Sequence, residues 1–193
     1  MNRIDFLQTI CEARAGAAMI ISPGLANYPI AAGADHPMTL YNMDMPYATP
    51  MALGVALGWP ERQVVSIEGD GSLLAGTGVL TTIARYQPSN LVIFVMDNES
   101  YLTTGSGLSS SATATGADIE KLARAAGMVH TATVRELESG RVIVQRVMKE
   151  PGPWLVVAKV DKNDQHEVDR SGLPVDVFES AMRFRRAALL EKS

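Results

Sequence analysis

The sequence has 193 residues, of which 47% are hydrophobic and 20% are charged, a composition that suits one globular domain and excludes a disordered chain. Its formal net charge is -4 and no run of Lys and Arg interrupts that balance, so we expect no nucleic-acid partner. The single Cys11 excludes an internal disulfide and a four-cysteine metal centre. The longest apolar runs have the length of strands, so we expect no membrane segment and a cytoplasmic protein.

Hydrophobic spacing in the first half of the chain predicts helices alternating with strands. A β-branched run marks the strand at 63–67, small residues mark the helix at 49–58, and Gly and Pro mark the ends of elements. The predicted elements are a helix carrying Ile4, Leu7, Ile10, Cys11 and Ala15, a strand at 18–22, a helix at 49–58, a strand at 63–67 and a helix at about 74–86.

The second half continues the alternation. A continuously apolar strand at 91–96 ends at Asp97-Asn98, and Thr133 with Glu136 forms a capping-box pattern that predicts a helix to about residue 149. The remaining predicted elements are a helix at 117–126, a strand at 128–132, a strand at 154–160 and an amphipathic helix at 174–190 with Val177, Ala181, Phe184 and Ala188 on one side. We interpret 174–191 as the C-terminal helical tail of a single domain that spans 1–193.

This alternation predicts an α/β fold with an open, mostly parallel sheet and helices on both faces, because parallel strands need crossover helices. Ligands of such sheets bind beyond the carboxyl ends of the strands. Two strands end in polar clusters, Gly69-Asp70-Gly71 and Asp97-Asn98. We therefore expect both clusters at one edge of the sheet, in a surface cleft.

The sequence Gly69-Asp70-Gly71-Ser72 is common as a plain turn when it stands alone. Asn98, however, follows Asp70 after one helix and one strand. A carboxylate and an amide oxygen, together with diphosphate oxygens, make a reasonable octahedral Mg²⁺ site. The pair of residues is a more specific signal than either residue alone.

The segment from Gly69-Asp70-Gly71 through Asp97-Asn98-Glu99-Ser100-Tyr101 resembles the binding motif of thiamine diphosphate (ThDP) enzymes. The resemblance implies that Asp70, the side chain of Asn98 and the backbone carbonyl of Ser100 hold Mg²⁺ on the diphosphate of ThDP. It also implies cofactor contacts from the flanking residues Gly69, Gly71, Ser72, Leu73 and Tyr101. The family usually has two asparagines at the end of the second strand, and here the first is Asp97.

Within this family, the segments at 69–74, 88–91, 97–99 and 104–105 are similar to sulfopyruvate and phosphonopyruvate decarboxylases. The position of Met45 corresponds to a methionine that supports the bent cofactor below its thiazolium ring, so the resemblance implies that role for Met45. The family's flanking glycines are replaced by Asp44 and Pro46, so the resemblance does not define the substrate side of the pocket. The alternative for Met45 is core packing, since Met often fills irregular gaps.

Two further features, Asn27 and the segment at 103–107, have two interpretations each. Asn27 follows the first predicted strand, where it could contact a phosphate or cap a helix. The polar segment at 103–107 could form an anion-binding backbone nest or lid, or be an ordinary surface loop. The histidines have no metal-ligand spacing and are interpreted as structural: His36, His130 and His166.

The resemblance implies that ThDP is activated by a glutamate from a pyrimidine-binding domain. Glu68 and Glu99 lie on the diphosphate side, so we expect that glutamate from a separate α subunit, as in two-subunit sulfopyruvate decarboxylase. The implied reaction is decarboxylation of a small anionic 2-oxo acid. Alternatives are phosphonopyruvate decarboxylation, an acetolactate-forming carboligation, and a non-catalytic regulatory subunit that binds a phosphate or nucleotide.

Overall fold

The computed structural model describes residues 1–41, 44–101, 109–162, 168–169, 171 and 176–191. Helices and strands alternate along these residues. The helices are α1 (Arg3–Ala13), α2 (Asn27–Gly33), α3 (Ala48–Gly58), α4 (Asp70–Ala75), α5 (Gly78–Tyr86), α6 (Ile119–Ala125), α7 (Leu137–Val147) and α8 (Val177–Glu191). The strands are β1 (Ala18–Ile21), β2 (Thr39–Leu40), β3 (Val64–Gly69), β4 (Leu91–Asp97), β5 (Ser100–Tyr101), β6 (Ser109–Ser110), β7 (His130–Val134) and β8 (Trp154–Lys159).

Six of the strands form one sheet in the order β2-β1-β3-β4-β8-β7. Every neighbouring pair in this sheet is parallel, so the prediction of a mostly parallel sheet is confirmed. The short strands β5 and β6 pair antiparallel outside it. In the part of the chain that the structure describes, none of the helices combines the length and apolarity needed to cross a bilayer.

Helices cover both faces of the sheet, because the strands carry apolar residues on both faces. One core contains Val92 and Phe94 of β4, and it is covered by α1, α2 and α7. The other contains Ile93 and Val95 of the same strand, and it is covered by α3, α4, α5, α6 and α8. All seven residues of β4 are buried, which makes it the central strand that its continuous apolar run predicts.

The helix predicted at 74–86 is two helices in the structure, and the first of them begins at Asp70. The helix is interrupted at Gly76 and Thr77, between α4 and α5. A Cβ atom on Gly76 would lie 2.6 Å from Cβ of Pro46, so the turn that precedes α3 packs into the break. This close approach joins two segments that are distant in sequence.

The predicted capping box at Thr133 is wrong. Thr133 lies inside β7, and its hydroxyl donates to Oε2 of Glu120 at 2.5 Å. Helix α7 begins at Leu137, and the side chain of its N-cap residue Glu136 makes no capping hydrogen bond. The Thr133 hydroxyl therefore hydrogen-bonds to α6 and does not cap α7.

Helix α8 packs against the sheet rather than extending away from it. Phe184 is buried against the core, and Arg183 forms a bidentate ion pair with Asp35 at 2.7 and 2.8 Å. Ser180 is buried and accepts a hydrogen bond from the backbone of Tyr41. The predicted apolar side is correct at Phe184 and wrong at Ala181, which is exposed.

Candidate functional site

The sheet register brings Asp70 and Asn98 to the same edge. Strands β3 and β4 are parallel neighbours with Gly69 opposite Met96, so the residues that follow them leave the sheet side by side. Asp70 opens α4, and Asn98 directly follows β4. Asp70 is 2% exposed and Asn98 is 5% exposed, so both residues are buried in this chain. Asn98 lines a small cavity at this edge, whereas Asp70 does not.

Three potential ligand groups converge at this point. One terminal atom of the Asn98 amide lies 3.2 Å from Oδ1 of Asp70 and 3.0 Å from the carbonyl oxygen of Ser100. If this atom is the amide nitrogen, it donates to both oxygens. If it is the amide oxygen, three oxygens face each other and require a cation between them. The orientation of the amide therefore depends on whether a cation is bound.

The spacing of these atoms fits Mg²⁺. Magnesium binds oxygen at about 2.1 Å in octahedral geometry, which places adjacent ligands about 3.0 Å apart. The distances of 3.2 Å to Asp70 and 3.0 Å to Ser100 equal the spacing of adjacent ligands in such an octahedron. The donor set of one carboxylate, one amide oxygen and one carbonyl also suits this hard cation.

The second carboxylate oxygen of Asp70 is fixed by two hydroxyl groups. Oδ2 accepts hydrogen bonds from Ser111 Oγ at 2.5 Å and Thr113 Oγ1 at 3.1 Å. Burial raises the pKa of Asp70, the bond from Ser111 opposes that rise, and the charge of Asp97 adds to it. Sequence reasoning missed both hydroxyls, because they lie beyond a polar segment with no recognisable pattern.

The two glycines beside Asp70 have different surroundings. A Cβ atom on Gly71 would lie 2.2 Å from the ring of Tyr101, so this glycine is needed for the close packing of that ring. A Cβ atom on Gly69 would meet no atom within 4 Å. The protein itself therefore leaves open space beside the backbone of Gly69, next to the proposed metal.

Two other predicted cofactor contacts lie on α4. Ser72 is 4% exposed and Leu73 is 1% exposed. The side chain of Leu73 belongs to the hydrophobic core. A contact between Leu73 and the cofactor would therefore have to come from its backbone.

Glu68 is a buried acid that links β3 to the start of α3. It is 1% exposed, and its Oε1 accepts hydrogen bonds from the backbone nitrogen and the hydroxyl of Thr49, both at 2.9 Å. Burial raises the pKa of Glu68, while hydrogen bonds from nearby hydroxyls oppose the rise. The contact fixes the N-terminal end of α3 beside the Asp70 edge.

Met45 lies in the turn before α3, next to Pro46, which packs on Gly76. The helix that follows this turn is held at the end of β3, where the backbone nitrogen of Thr49 donates to Glu68. The side chain of Met45 is partly exposed and belongs to neither core cluster among the described residues. Its role beneath a cofactor ring stays a prediction.

A cavity of about 70 Å³ lies beside the candidate site, between the loop after β1 and the ends of β3 and β4. Asn27 supports this loop, because its amide nitrogen donates to the carbonyl oxygens of Ser22 at 2.8 Å and Gly24 at 3.2 Å. The predicted phosphate contact of Asn27 stays untested. The cavity is lined by Arg3, Ser22, Pro23, Gly24, Leu25, Ala26, Glu68, Gly69, Met96 and Asn98.

The remaining predictions concern loops and histidines. His36 accepts a hydrogen bond from the backbone of Met38 at 3.0 Å, and the ring of His130 stacks on Trp154 at 4.8 Å. Both contacts are structural. The segment at 103–107 and His166 lie outside the described residues.

A parallel α/β sheet binds its ligands beyond the carboxyl ends of its strands, and that is the edge where the oxygen cluster of Asp70, Asn98 and Ser100 lies. Residues 26–158 match the family described as thiamine pyrophosphate enzyme, C-terminal TPP binding domain. The chain therefore belongs to this family, and thiamine pyrophosphate, which is ThDP, is its cofactor.

Similar proteins point in the same direction. The chain is 36% identical over 107 residues to the sulfopyruvate decarboxylase subunit beta of Methanothermobacter thermautotrophicus, a match that covers 55% of this chain and 57% of that protein. It is 35% identical over 141 residues to the phosphonopyruvate decarboxylase of Streptomyces viridochromogenes, covering 72% of this chain and 33% of that protein. The chain thus spans little more than half of the first relative and a third of the second.

A solved structure shares the fold. It is a Mycobacterium smegmatis enzyme described as thiamin diphosphate-dependent, and it matches with a TM-score of 0.70 at 22% identity. The match covers 83% of this chain and 32% of that one. At this identity the likeness concerns the fold alone.

Proposed function

We propose that this chain is the diphosphate- and Mg²⁺-binding subunit of a ThDP-dependent decarboxylase that acts on a small anionic 2-oxo acid. Mg²⁺ is held by Asp70, the amide oxygen of Asn98 and the carbonyl oxygen of Ser100. The observation that carries the proposal is the convergence of these three groups, at 3.0 and 3.2 Å, in a member of the thiamine enzyme family. Their spacing supports a magnesium site at the end of β3 and β4.

Each residue of the site has a separate task. Ser111 and Thr113 fix the oxygen of Asp70 that faces away from the metal, so the other oxygen is aimed at the cation. Gly69 leaves room for the diphosphate, and Met45 supports the bent cofactor from the turn before α3. When bound, ThDP supplies the electron sink that accepts the charge left by loss of carbon dioxide.

The activating glutamate comes from a separate pyrimidine-binding α subunit. Glu68 is buried and already holds Thr49, and Glu99 forms an ion pair with Lys162 at 2.7 Å. Both therefore have other partners at the diphosphate side. The name of the Methanothermobacter relative, which designates a beta subunit, supports a two-subunit assembly.

The substrate is sulfopyruvate or a 2-oxo acid of the same charge and size. Phosphonopyruvate is the second candidate, because the Streptomyces relative is named for that substrate. Acetolactate-forming carboligation stays an alternative reaction of the same cofactor. Membership in the thiamine family favours an enzyme over a regulatory phosphate-binding subunit.

The test is carbon dioxide release from sulfopyruvate, phosphonopyruvate and pyruvate. The isolated chain and the chain purified with its partner are assayed with ThDP and Mg²⁺. We expect turnover only in the pair, with a preference for an acid whose distal group is anionic. Turnover by the isolated chain would contradict the partner requirement. Formation of acetolactate from pyruvate, with no preference for acids that carry an anionic distal group, would favour the carboligase.

A further inference from the structure

Asp97 and Lys159 form an ion pair that is set by the sheet itself. They end β4 and β8, and they stand opposite each other in the parallel register of these two strands. The Lys159 ammonium group contacts Oδ2 of Asp97. Asp97 is 1% exposed, whereas the side chain of Lys159 is 23% exposed, so the carboxylate is buried and its counter-charge reaches toward solvent.

The other oxygen of Asp97 organises the turn that carries two of the proposed metal ligands. Oδ1 accepts a hydrogen bond from the backbone nitrogen of Glu99 at 3.1 Å. Glu99 lies between Asn98 and Ser100 and has a φ of 60°, in the left-handed region that a residue with a side chain seldom adopts. The hydrogen bond stabilises this conformation, and the conformation sets where Asn98 and the Ser100 carbonyl point.

The same oxygen is linked to the third ligand through one hydroxyl group. Thr113 Oγ1 lies 2.8 Å from Oδ1 of Asp97 and 3.1 Å from Oδ2 of Asp70. A hydroxyl has a single proton, so it donates to one carboxylate at a time. Thr113 Oγ1 also lies 2.8 Å from Ser111 Oγ, the hydroxyl that donates to Asp70. Asp97 therefore reaches Asn98 and Ser100 through Glu99, and it reaches Asp70 through Thr113 and Ser111, although it is not itself a proposed metal ligand.

We propose that Asp97, neutralised by Lys159, is the positioning residue of the metal site, which it holds through Glu99 and Thr113. This inference rests on the metal ligands assigned in the proposed function. The two charges cancel while the pair is intact. Loss of the aspartate charge leaves the ammonium group close to a divalent cation, and loss of the lysine leaves a buried carboxylate without its counter-charge.

The neutral isostere makes a direct test. Asp97→Asn keeps an oxygen for Glu99 and Thr113 but leaves the charge of Lys159 uncompensated. The double variant Asp97→Asn with Lys159→Met removes both charges and keeps that oxygen. Asp97→Ala removes the oxygen as well. Mg²⁺-dependent ThDP binding is measured by calorimetry on each variant, purified with the partner subunit, and the melting temperature is measured without metal.

We expect Asp97→Ala to weaken Mg²⁺ binding about 10- to 100-fold, the range for residues that orient metal ligands. Asp97→Asn should weaken it about tenfold, and the double variant should recover most of that loss. Recovery of metal affinity by a second substitution is a result that a purely structural role does not predict. The controls Glu150→Gln and Lys121→Met remove one charge from exposed ion pairs and should bind as the wild type does.

Wild-type Mg²⁺ affinity in both Asp97 variants overturns the positioning role, as does a double variant that binds no more tightly than Asp97→Asn. Asp70→Asn separates this failure from failure of the metal site. If Asp70→Asn loses Mg²⁺ binding while the Asp97 variants keep it, only the positioning role falls. If Asp70→Asn also binds as the wild type does, or the wild type shows no Mg²⁺-dependent binding, the ligand assignment falls with it.

Discussion

The substitution Asp70→Asn separates the metal-binding role of this residue from its structural role. The amide has the size of the carboxylate, and its oxygen can still accept from Ser111 and Thr113. Its NH₂ group then faces the terminal amide atom of Asn98, which lies 3.2 Å from Oδ1 of the aspartate. Asp70→Ala is a poorer probe, because it removes the carboxylate acceptor of the buried Ser111 hydroxyl, and a buried donor left unpaired costs about 1–3 kcal/mol.

The expected effect on the metal-free protein follows from burial. Burial raises the pKa of Asp70, so its contribution to stability is full below the ordinary pKa of an aspartate and is lost as the pH rises through the raised value. At neutral pH the wild type therefore carries the cost of a buried charge, and the amide does not. We expect the metal-free variant to be as stable as the wild type or more stable.

The expected effect with ligand is the opposite. A ligand at 100 times its Kd stabilises the folded state by about 2.7 kcal/mol. For a chain of this size that corresponds to a rise of roughly 5–11 °C in melting temperature. The wild-type assembly should show this rise with Mg²⁺ and ThDP together, and Asp70→Asn should show little or none.

Differential scanning calorimetry with and without Mg²⁺ and ThDP measures both effects. The control Glu150→Gln alters an exposed ion pair far from the proposed metal and should keep the full rise. An equal rise in the variant and the wild type would refute the assignment of Asp70 as a metal ligand. A large fall in the metal-free melting temperature would refute the account of the buried charge.

Three other variants or treatments test separate parts of the structure. Met45→Ala should lower kcat of the assembled enzyme more than it lowers ThDP affinity, whereas a loss of about 2–5 kcal/mol in unfolding free energy with unchanged kinetics would indicate core packing. Phe184→Ala should lower the unfolding free energy in urea by about 3 kcal/mol, because this ring anchors α8, while the exposed Met182→Ala should change it by less than about 0.5 kcal/mol. Burial raises the pKa of the Cys11 thiol to about 11, so iodoacetamide at pH 8 should label it roughly 100-fold more slowly than free cysteine. The stability that the buried neutral thiol contributes should be lost as the pH rises from about 9 to 11. Labelling at the rate of free cysteine would contradict the burial.

Local sequence determines the sheet and the edge where the site lies. The apolar run of β4 has no polar position in its interior and has the length of a strand, which favours a strand covered on both faces. Parallel strands end at one edge, which is why the Asp70 and Asn98 clusters could be placed together before the structure was known. These inferences need only short-range pattern and the geometry of parallel sheets.

The remaining details depend on contacts between distant segments. Gly76 interrupts a helical pattern where Pro46 packs against it. Thr133 lies in a strand paired with β8, and its hydroxyl donates a hydrogen bond to Glu120. Ser111 and Thr113 hold Asp70 from across the fold. A single sequence contains no signal for such pairs, so the burial of Asp70 could not be predicted from it.

Diffraction from the assembled enzyme with ThDP and Mn²⁺ in place of Mg²⁺ tests the central claim most directly, because the anomalous signal of manganese locates the metal without reference to the protein. The account predicts one metal peak at about 2.1 Å from Oδ1 of Asp70, the amide oxygen of Asn98 and the carbonyl oxygen of Ser100, with the cofactor's diphosphate completing its ligands. It also predicts a glutamate of the partner subunit against the aminopyrimidine ring. A metal peak on other residues, or a cofactor bound with no metal at this edge of the sheet, would contradict it.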